Sequence, residues 1–215
     1  IVKKYYEILD TSVLQTLSIE GTVNLIDANG DKLAVGDNNN IYVYSAGENS
    51  VTLDGTILHD FNNEYRFLKV TENYILANYA RHSVVIYDKS TLMRLKEFQL
   101  AEDNNLYYAD TFDAVEYDGQ LYVSGFANME FGVKLIKLDS QLNTIEWLKL
   151  EDLNNDFNTV LGGDYFIVVE GISPNIKIHV YNYKNLNKKA VINLPDDISY
   201  NDSNVFKIFG DEIHI

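Results

Sequence analysis

Short apolar segments alternate with polar turns along the whole chain, and one arrangement of the two occurs five times. In each occurrence a tight polar turn is followed two residues later by a large apolar residue that begins a strand-like segment. The five segments are NGDKLAV (29–35), TENYILA (71–77), YDGQLYV (117–123), GGDYFIV (162–168) and FGDEIHI (209–215). Their large apolar residues, the anchors of the repeat, are Leu33, Ile75, Leu121, Phe166 and Ile213, so successive anchors lie 42, 46, 45 and 47 residues apart. A nearly constant period with strand-like contents predicts a structural unit repeated around a ring.

Alternation of apolar and polar positions predicts four strands in each repeat. Every turn joins two apolar segments, as the hairpin of two inner strands requires. A third segment follows in four repeats: IYVYS (41–45), SVVIYD (83–88), VKLIKLD (133–139) and IKIHVYN (176–182). A fourth completes each of these repeats: SVTL (50–53), LKEFQL (95–100), TIEWLKL (144–150) and KKAVINL (188–194). Four antiparallel strands at this period are typical of a β-propeller blade.

The fifth repeat holds only the inner hairpin, and the N-terminal segment has the form of the missing strands. YYEILDTSVLQTLSI (5–19) reads as a third and a fourth strand. We therefore expect an all-β, five-bladed β-propeller of four-stranded antiparallel blades, whose ring is closed by the N-terminal strands pairing with the C-terminal hairpin. It forms one domain, 1–215, with blades at 20–54, 62–100, 108–150, 156–194 and 202–215, the last completed by 1–19. A β-sandwich or a fragment of a larger ring is the structural alternative.

The third-to-fourth strand stretch SVVIYDKSTLMRLKEF (83–98), echoed at VYNYKNLNKKAVINL (180–194), resembles blades of the broad WD40-like and YVTN-like propeller group. No blade carries the Gly-His and Trp-Asp marks of true WD40 repeats, and the Asp-box pattern of sialidase propellers is absent from the sequence. The resemblance implies a rigid platform and no particular activity, because propellers host many unrelated functions.

Charge narrows the range of partners. The chain has 32 acidic and 17 basic residues, a net charge of −15, and no cysteine. Such a surface repels phosphate backbones and anionic lipids, so we expect neither nucleic-acid binding nor a role at a membrane surface. No apolar run approaches the roughly twenty residues of a membrane helix, so we expect no membrane insertion. Without cysteine, disulfide frameworks and thiolate metal sites are excluded. We favour a secreted or cell-surface location over the cytoplasm.

A candidate ligand site lies where the first strand of each blade begins. In a propeller, the loops that enter the first strands share one face with those joining second to third strands, around the mouth of the central channel. Eight or nine residues before each anchor stands a polar residue: Asn24, Arg66, Asp113, Asn158 and Asn204. Such a ring could bind a small polar ligand such as a sugar. Solvation of a wet channel mouth explains the same polarity.

The loops expected on that face are acidic and contain aromatic residues. They are LDGTILHDFNNEY (53–65), AEDNNLYYADTFD (101–113), EDLNNDFN (151–158) and PDDISYND (195–202). Their aromatic residues are Phe61, Tyr65, Tyr107, Tyr108, Phe112, Phe157 and Tyr200. Aromatic anchors with acidic steering charges would suit a basic protein partner, and aromatic faces beside Asn and Asp would also suit a glycan. The structural alternative is that the acids keep the protein soluble and the aromatics pack beneath the loops.

No catalytic residue, metal site or cofactor is predicted. Glycoside hydrolysis needs two facing carboxylates, and only Asp113 among the five channel-mouth residues is acidic, although Asp110 and Glu116 are nearby in sequence. DANGDK (27–32) begins like a calcium loop, but Lys32 and Asn38 stand where the loop needs Gly and Glu. The four histidines show no ligand spacing.

The sequence therefore favours a non-catalytic interaction scaffold that binds a protein partner. A lectin-like carbohydrate-binding propeller is the alternative, because small five-bladed propellers of about this length resemble the tachylectin type. These blades differ from one another, however, whereas tachylectin blades are nearly identical. A glycoside hydrolase is the least favoured reading.

Overall fold

The computed structural model describes residues 17, 19, 21–48, 50–59, 67–79, 83–99, 109–127, 130–150, 157–162, 165–170, 176–183, 185, 187–194, 207–209 and 212–214. Regular structure in these ranges is β-strand throughout. They include no helix of the length and apolarity needed to cross a membrane. This confirms the all-β prediction for the described part of the chain.

The strands follow the repeat that the apolar pattern predicts. In the first half they are β1 (Leu25–Asn29), β2 (Lys32–Gly36), β3 (Asn40–Ala46), β4 (Val51–Leu58), β5 (Leu68–Val70), β6 (Tyr74–Tyr79), β7 (Ser83–Asp88) and β8 (Arg94–Gln99). In the second half they are β9 (Ala109–Tyr117), β10 (Gln120–Ala127), β11 (Glu130–Leu138), β12 (Thr144–Leu150), β13 (Phe157–Gly162), β14 (Tyr165–Glu170), β15 (Lys177–Asn182), β16 (Lys188–Asn193), β17 (Lys207–Phe209) and β18 (Glu212–His214).

These strands form four antiparallel four-stranded sheets and one hairpin. Sequential strands are neighbours in each sheet: β1 to β4, β5 to β8, β9 to β12 and β13 to β16, with β17 paired to β18. The prediction of four-stranded antiparallel sheets in the first four repeats is thereby confirmed. The proposed third and fourth strands of the fifth blade, in residues 5–19, lie outside the described residues apart from Leu17 and Ile19.

The register places the anchors at one equivalent position in every sheet. Each second-strand anchor pairs with one residue of the third strand, which we call the third-strand anchor: Leu33 with Tyr44, Ile75 with Tyr87, Leu121 with Leu138, and Phe166 with Tyr181. In the last hairpin Ile213 pairs with Ile208. Because a slip of one residue would turn every side chain to the opposite face, this agreement fixes which residues face the neighbouring sheets.

A β-bulge at the same place in each four-stranded sheet was not predicted. The register between the third and fourth strands shifts just before the third-strand anchor, between Val43 and Tyr44, Ile86 and Tyr87, Lys137 and Leu138, and Val180 and Tyr181. A bulge adds one residue to the outer strand and bends it. In the first sheet the bulge lets β4 continue through Asp54 and Gly55, two residues that are typical of turns.

Three predicted loops are wrong at one end, because a neighbouring strand extends into each of them. Residues 53–58 of the first acidic segment belong to β4, because the bulge accommodates Asp54 and Gly55 within the strand. The second segment becomes strand at Ala109, and the third at Phe157. The described loops are therefore shorter than the sequence suggested.

Hydrophobic cores lie between neighbouring sheets. The chain divides after Asp110 into two compact units, of which the first holds sheets β1–β4 and β5–β8. In this unit Ile41 and Val43 pack with Ile75 and Val85. In the second unit, β14 turns Phe166 towards a cluster with Tyr122 and Leu135, while Ile167 packs in a second cluster.

The burial of β14 on both faces explains its almost continuous apolar sequence. Residues 166–169 are each no more than 1% exposed. Burying one such side chain contributes about 1.5–3 kcal/mol relative to leaving it exposed. A sheet that is covered on both faces is what a propeller blade between two neighbours requires.

Candidate functional site

In each four-stranded sheet the first strand begins and the fourth strand ends at the same end, where the loop from the second to the third strand also lies. We call this the connector end, because the segments that lead from one sheet to the next start and finish there. The opposite end, with the tight turns between first and second strands and between third and fourth strands, is the turn end. The sequence predicts the ligand and partner residues at the connector end.

Of the predicted channel-mouth residues, Asn24 and Asp113 have described side chains. Asn24 is exposed just before β1, and its amide donates to the Thr22 carbonyl at 2.9 Å and to Asn38 Oδ1 at 3.1 Å. Asn158 lies in β13. The side chain of Asn158, and all of Arg66 and Asn204, fall outside the description. The ligand-binding role of the five residues stays a prediction.

Asp113 is a buried acceptor that joins two sheets. Asp113 is only 7% exposed. Oδ1 accepts the Ala114 amide at 2.9 Å, and Oδ2 accepts the amide of Leu161, in the first strand of the next sheet, at 2.7 Å. The sequence predicts Asp113 where its strand begins, but it lies inside β9, which starts at Ala109. Its polarity there is explained by the backbone amides that its carboxylate accepts, one of them from the neighbouring sheet.

Tyr183 lies near this carboxylate, in the same unit. Its ring stacks on Tyr117 at 5.3 Å and meets Tyr122 at 4.9 Å between centroids. Burial raises the pKa of the Tyr183 phenol well above its ordinary value, and the negative charge of Asp113 adds to that rise. The phenol is therefore neutral throughout the physiological range.

Asp27 has an equivalent role in the first unit. The sequence suggested a comparison with a calcium loop at this residue. In the structure, Asp27 Oδ2 accepts the amide of Val70, in the first strand of the next sheet, at 2.6 Å. Val70 and Leu161 occupy matching positions, since each pairs with the anchor of its own sheet, Ile75 and Phe166.

At the connector end of the first sheet, Asp37 organises the loop between β2 and β3. Its carboxylate accepts the amides of Asn39 and Asn40, both at 2.7 Å, and the Tyr42 hydroxyl at 3.1 Å. Burial acts to raise the pKa of Asp37, but the two amides and the hydroxyl outweigh it and hold the pKa below its usual value. The polar residues of this loop are therefore used to build the loop itself.

The side chains of the predicted aromatic partner face lie outside the described part of the chain. Phe112 lies in β9 and Phe157 in β13, and the side chains of both fall outside the description. Phe61, Tyr65, Tyr107, Tyr108 and Tyr200 lie outside the described residues. Their contribution to binding stays a prediction.

What the topology does define is the set of four connectors, residues 59–67, 100–108, 151–156 and 194–206. Arg66 is the only Lys or Arg in them. Their acidic residues are Asp60, Glu64, Glu102, Asp103, Glu151, Asp152, Asp156, Asp196, Asp197 and Asp202. Acidic charge is thus strongly concentrated in the segments at one end of the sheets.

Sequence reasoning missed a polar contact between the first two sheets. His59 follows β4 directly and is 3% exposed. Its Nδ1 lies 2.7 Å from the Tyr87 hydroxyl, and its Nε2 lies 2.5 Å from the Asn78 carbonyl oxygen. No local motif signals this contact, because the three residues come together only through the packing of one sheet on the next.

No protein-family model and no curated protein matches the chain. Solved structures do match the chain. Apo AztD from Citrobacter koseri matches with a TM-score of 0.54 at 13% identity, over 80% of this chain and 47% of that one. The Cps50 (Swd1) β-propeller domain of Myceliophteria thermophila matches with a TM-score of 0.52 at 12% identity, over 82% and 56%. Hsv2 of Kluyvelomyces marxianus matches with a TM-score of 0.51 at 9% identity, over 77% and 50%.

These likenesses, together with the four-stranded antiparallel sheets, show that the chain has a β-propeller fold. The chain spans about half the length of the solved structures that it matches. At such low identity the matches describe the fold alone, so the function must be argued from the residues of this chain.

Proposed function

We propose that this protein is a non-catalytic binding propeller whose acidic connectors form the docking face for a basic protein partner. The observation that carries the proposal is the charge of the connectors, which hold ten acidic residues and one basic residue. We further propose that the propeller has five blades, with residues 1–19 completing the last blade beside the β17–β18 hairpin.

The described sheets supply a suitable support. Burial of β14 on both faces and the cross-sheet bonds of Asp27 and Asp113 hold neighbouring sheets together. A rigid support matters because ordering a flexible surface on binding costs free energy. Connectors that leave from the same end of each sheet would then present their charges with little reorganisation.

The acidic charge would act mainly on association. Exposed ion pairs contribute only about 0.2–1 kcal/mol each, so affinity would need further contacts, for which the connector aromatics are candidates. Complementary charge instead speeds the encounter with a basic partner and selects against acidic ones. Binding should therefore weaken as salt is added.

Two variants with the same change in net charge test the proposal. The connector variant neutralises four acids by Glu102→Gln, Asp103→Asn, Glu151→Gln and Asp152→Asn. The turn-end variant neutralises four acids at the opposite end of the sheets by Asp31→Asn, Glu48→Gln, Glu72→Gln and Asp118→Asn. Binding of a fluorescent oligolysine peptide is measured for both variants and the wild type, at ionic strengths of about 50 mM and about 300 mM.

We expect the connector variant to bind the peptide about fivefold more weakly than the turn-end variant at the lower salt concentration. Equal weakening in both variants would mean that only net charge matters, and would overturn the docking face. A glycan array screened with the wild type addresses the lectin alternative. Salt-insensitive binding of one glycan, blocked by the free sugar, would support a lectin instead.

A further inference from the structure

A cavity of about 310 Å³ opens between the first two sheets, within the first compact unit. Its apolar lining includes Ile57 of β4, Val85 of β7 and Leu92 of the turn before β8. Its polar lining includes His59, Tyr87 and Arg94. The volume lies at the lower end of the range of small-molecule pockets, about 300–1,000 Å³, which suits a compact ligand rather than a peptide strand.

The lining depends on an unusual backbone conformation at Leu92 and on the lack of a side chain at Gly55. Leu92 has a φ of 60°, a left-handed conformation that is uncommon for a leucine. This conformation directs Leu92 towards Gly55 of β4, where an added Cβ would lie 2.8 Å from Leu92 Cδ1. The missing side chain at Gly55 therefore lets Leu92 form a wall of the cavity.

The His59 contacts determine whether the Tyr87 hydroxyl acts as a donor or as an acceptor towards a ligand in the cavity. A carbonyl oxygen can only accept, so His59 Nε2 carries the proton that is donated to Asn78. In the neutral ring Nδ1 is then an acceptor, and the Tyr87 hydroxyl donates to it at 2.7 Å. Burial raises the pKa of Tyr87, which keeps the hydroxyl protonated. The Tyr87 oxygen keeps lone pairs that can accept a hydrogen bond from a ligand.

Arg94 supplies a positive charge at the same cavity. Its guanidinium contacts Glu97, three residues along the same strand, and its side chain is 57% exposed. Exposed ion pairs of this kind are weak, so a ligand carboxylate can compete with Glu97. A planar guanidinium can also bind a carboxylate through two parallel hydrogen bonds.

We propose that this cavity binds a small carboxylic acid with an apolar body and an amide N–H, of the size of an N-acylated apolar amino acid. The carboxylate pairs with Arg94, the apolar body packs on Ile57, Val85 and Leu92, and the amide donates to the Tyr87 oxygen. The overall charge of −15 opposes anions, so affinity for a small probe is weak, with a Kd on the order of 1 mM.

The test is an NMR titration of the ¹⁵N-labelled protein with N-acetyl-leucine, with uncharged N-acetyl-leucinamide as the matched probe. We expect N-acetyl-leucine to shift the amides of residues 55–59, 85–87 and 92–94 with one common Kd. We expect the amide probe to bind at least about fivefold more weakly. Equal shifts with both probes, or shifts spread over other strands, would overturn the proposal.

Two variants of neighbouring cations separate local pairing from general charge. Arg94→Gln and Lys96→Gln each remove one positive charge from β8, but Arg94 alone of the two lines the cavity. We expect Arg94→Gln to weaken N-acetyl-leucine binding about tenfold and Lys96→Gln to leave it within about twofold. The same loss in both variants would contradict the site.

Two further variants test the remaining contacts. Glu97→Gln frees the guanidinium from its competitor and should tighten N-acetyl-leucine binding about threefold. Tyr87→Phe removes only the phenol hydroxyl and should weaken binding about threefold while the ¹⁵N spectrum stays dispersed. Unchanged affinity in both Glu97→Gln and Tyr87→Phe would overturn the assigned contacts.

Discussion

Asp113 and Leu161 stand 48 residues apart in sequence and are joined by a hydrogen bond of 2.7 Å between the Asp113 carboxylate and the Leu161 amide. Asp27 and Val70 make the corresponding contact at 2.6 Å in the other compact unit. In both cases the amide lies on the first strand of a sheet and points away from its own hairpin partner. The first strand is an edge strand, so an amide that points away from the hairpin cannot be bonded within it. An acidic residue of the preceding sheet accepts the hydrogen bond of that amide instead.

Asp113→Asn should lower the free energy of unfolding by about 2–3 kcal/mol, because the amide group places a donor near a buried backbone N–H. Asp118→Asn is the matched control. Asp118 is exposed at a turn with φ 52°, where Asn is tolerated, so its change should stay within about 0.5 kcal/mol. Urea unfolding followed by circular dichroism measures both. A loss below that control value for Asp113→Asn would show that the cross-sheet bond does not stabilise the fold.

Asp88→Ala should destabilise the turn between β7 and β8. The Asp88 carboxylate accepts the Ser90 and Thr91 amides at 2.9 and 2.7 Å. Hydrogen bonds from Ser90 and Thr91 hold the pKa of Asp88 below its usual value, against a smaller opposing effect of burial. We expect a loss of about 1 kcal/mol at pH 7, with Glu72→Ala as an exposed control.

The same pKa predicts the pH dependence of that loss. A carboxyl whose pKa is lowered by folding stabilises the protein above its unfolded value of about 3.9, and this contribution disappears as pH falls through the folded pKa. The difference between wild type and Asp88→Ala should therefore shrink below about pH 4. A difference that is constant from pH 7 to pH 3 would contradict the assignment.

Gly55→Ala should cost no more than about 1 kcal/mol, because the new methyl group meets Leu92 Cδ1 at 2.8 Å, the end of a flexible side chain that can move aside. The contact is tested by a double-mutant cycle. In the Leu92→Ala background, Gly55→Ala should cost less than about 0.5 kcal/mol, since the clashing atom is gone. Equal costs in the two backgrounds would show that Gly55 is needed for some other reason.

Tyr183→Phe should change stability at alkaline pH more than at neutral pH. The folded protein retains the Tyr183 proton where the unfolded chain releases it, so this group makes stability fall as pH rises above about 10. The variant should lose less stability than wild type between about pH 9 and pH 11, and should differ by under about 1 kcal/mol at pH 7. Parallel alkaline curves would refute the raised pKa.

Removal of residues 1–19 tests the five-blade proposal. If they complete the last blade, their loss leaves the β17–β18 hairpin with unpaired edges, and the shortened protein should aggregate. Size-exclusion chromatography with thermal unfolding measures this outcome. A soluble monomer of 20–215 that unfolds cooperatively at the wild-type temperature would contradict closure through these residues.

The sequence predicted the repeat well because each strand shows a local alternation of apolar and polar residues. The anchors Leu33, Ile75, Leu121 and Phe166 all lie in second strands, as the repeat predicted, and each pairs with a residue of the third strand. It did not predict the bulges, since Asp54 and Gly55 within β4 have the local chemistry of a turn.

The candidate sites were less predictable, for a different physical reason. From the sequence alone, Asp113 is expected to be a solvated polar residue. Its role as a buried acceptor follows only from the packing of the next sheet beside it. The same holds for His59 and Tyr87, whose contact joins residues 28 positions apart. Roles that depend on the packing of one sheet on another leave no trace in a window of a few residues.

The most direct test of the proposed docking face is the ratio of two dissociation constants for the oligolysine peptide, that of the connector variant over that of the turn-end variant. Both proteins have the same net charge, so the ratio reports where the charge lies. The account predicts a ratio of about five at an ionic strength of about 50 mM, falling towards one as salt is added. A ratio of one at low salt would contradict the account.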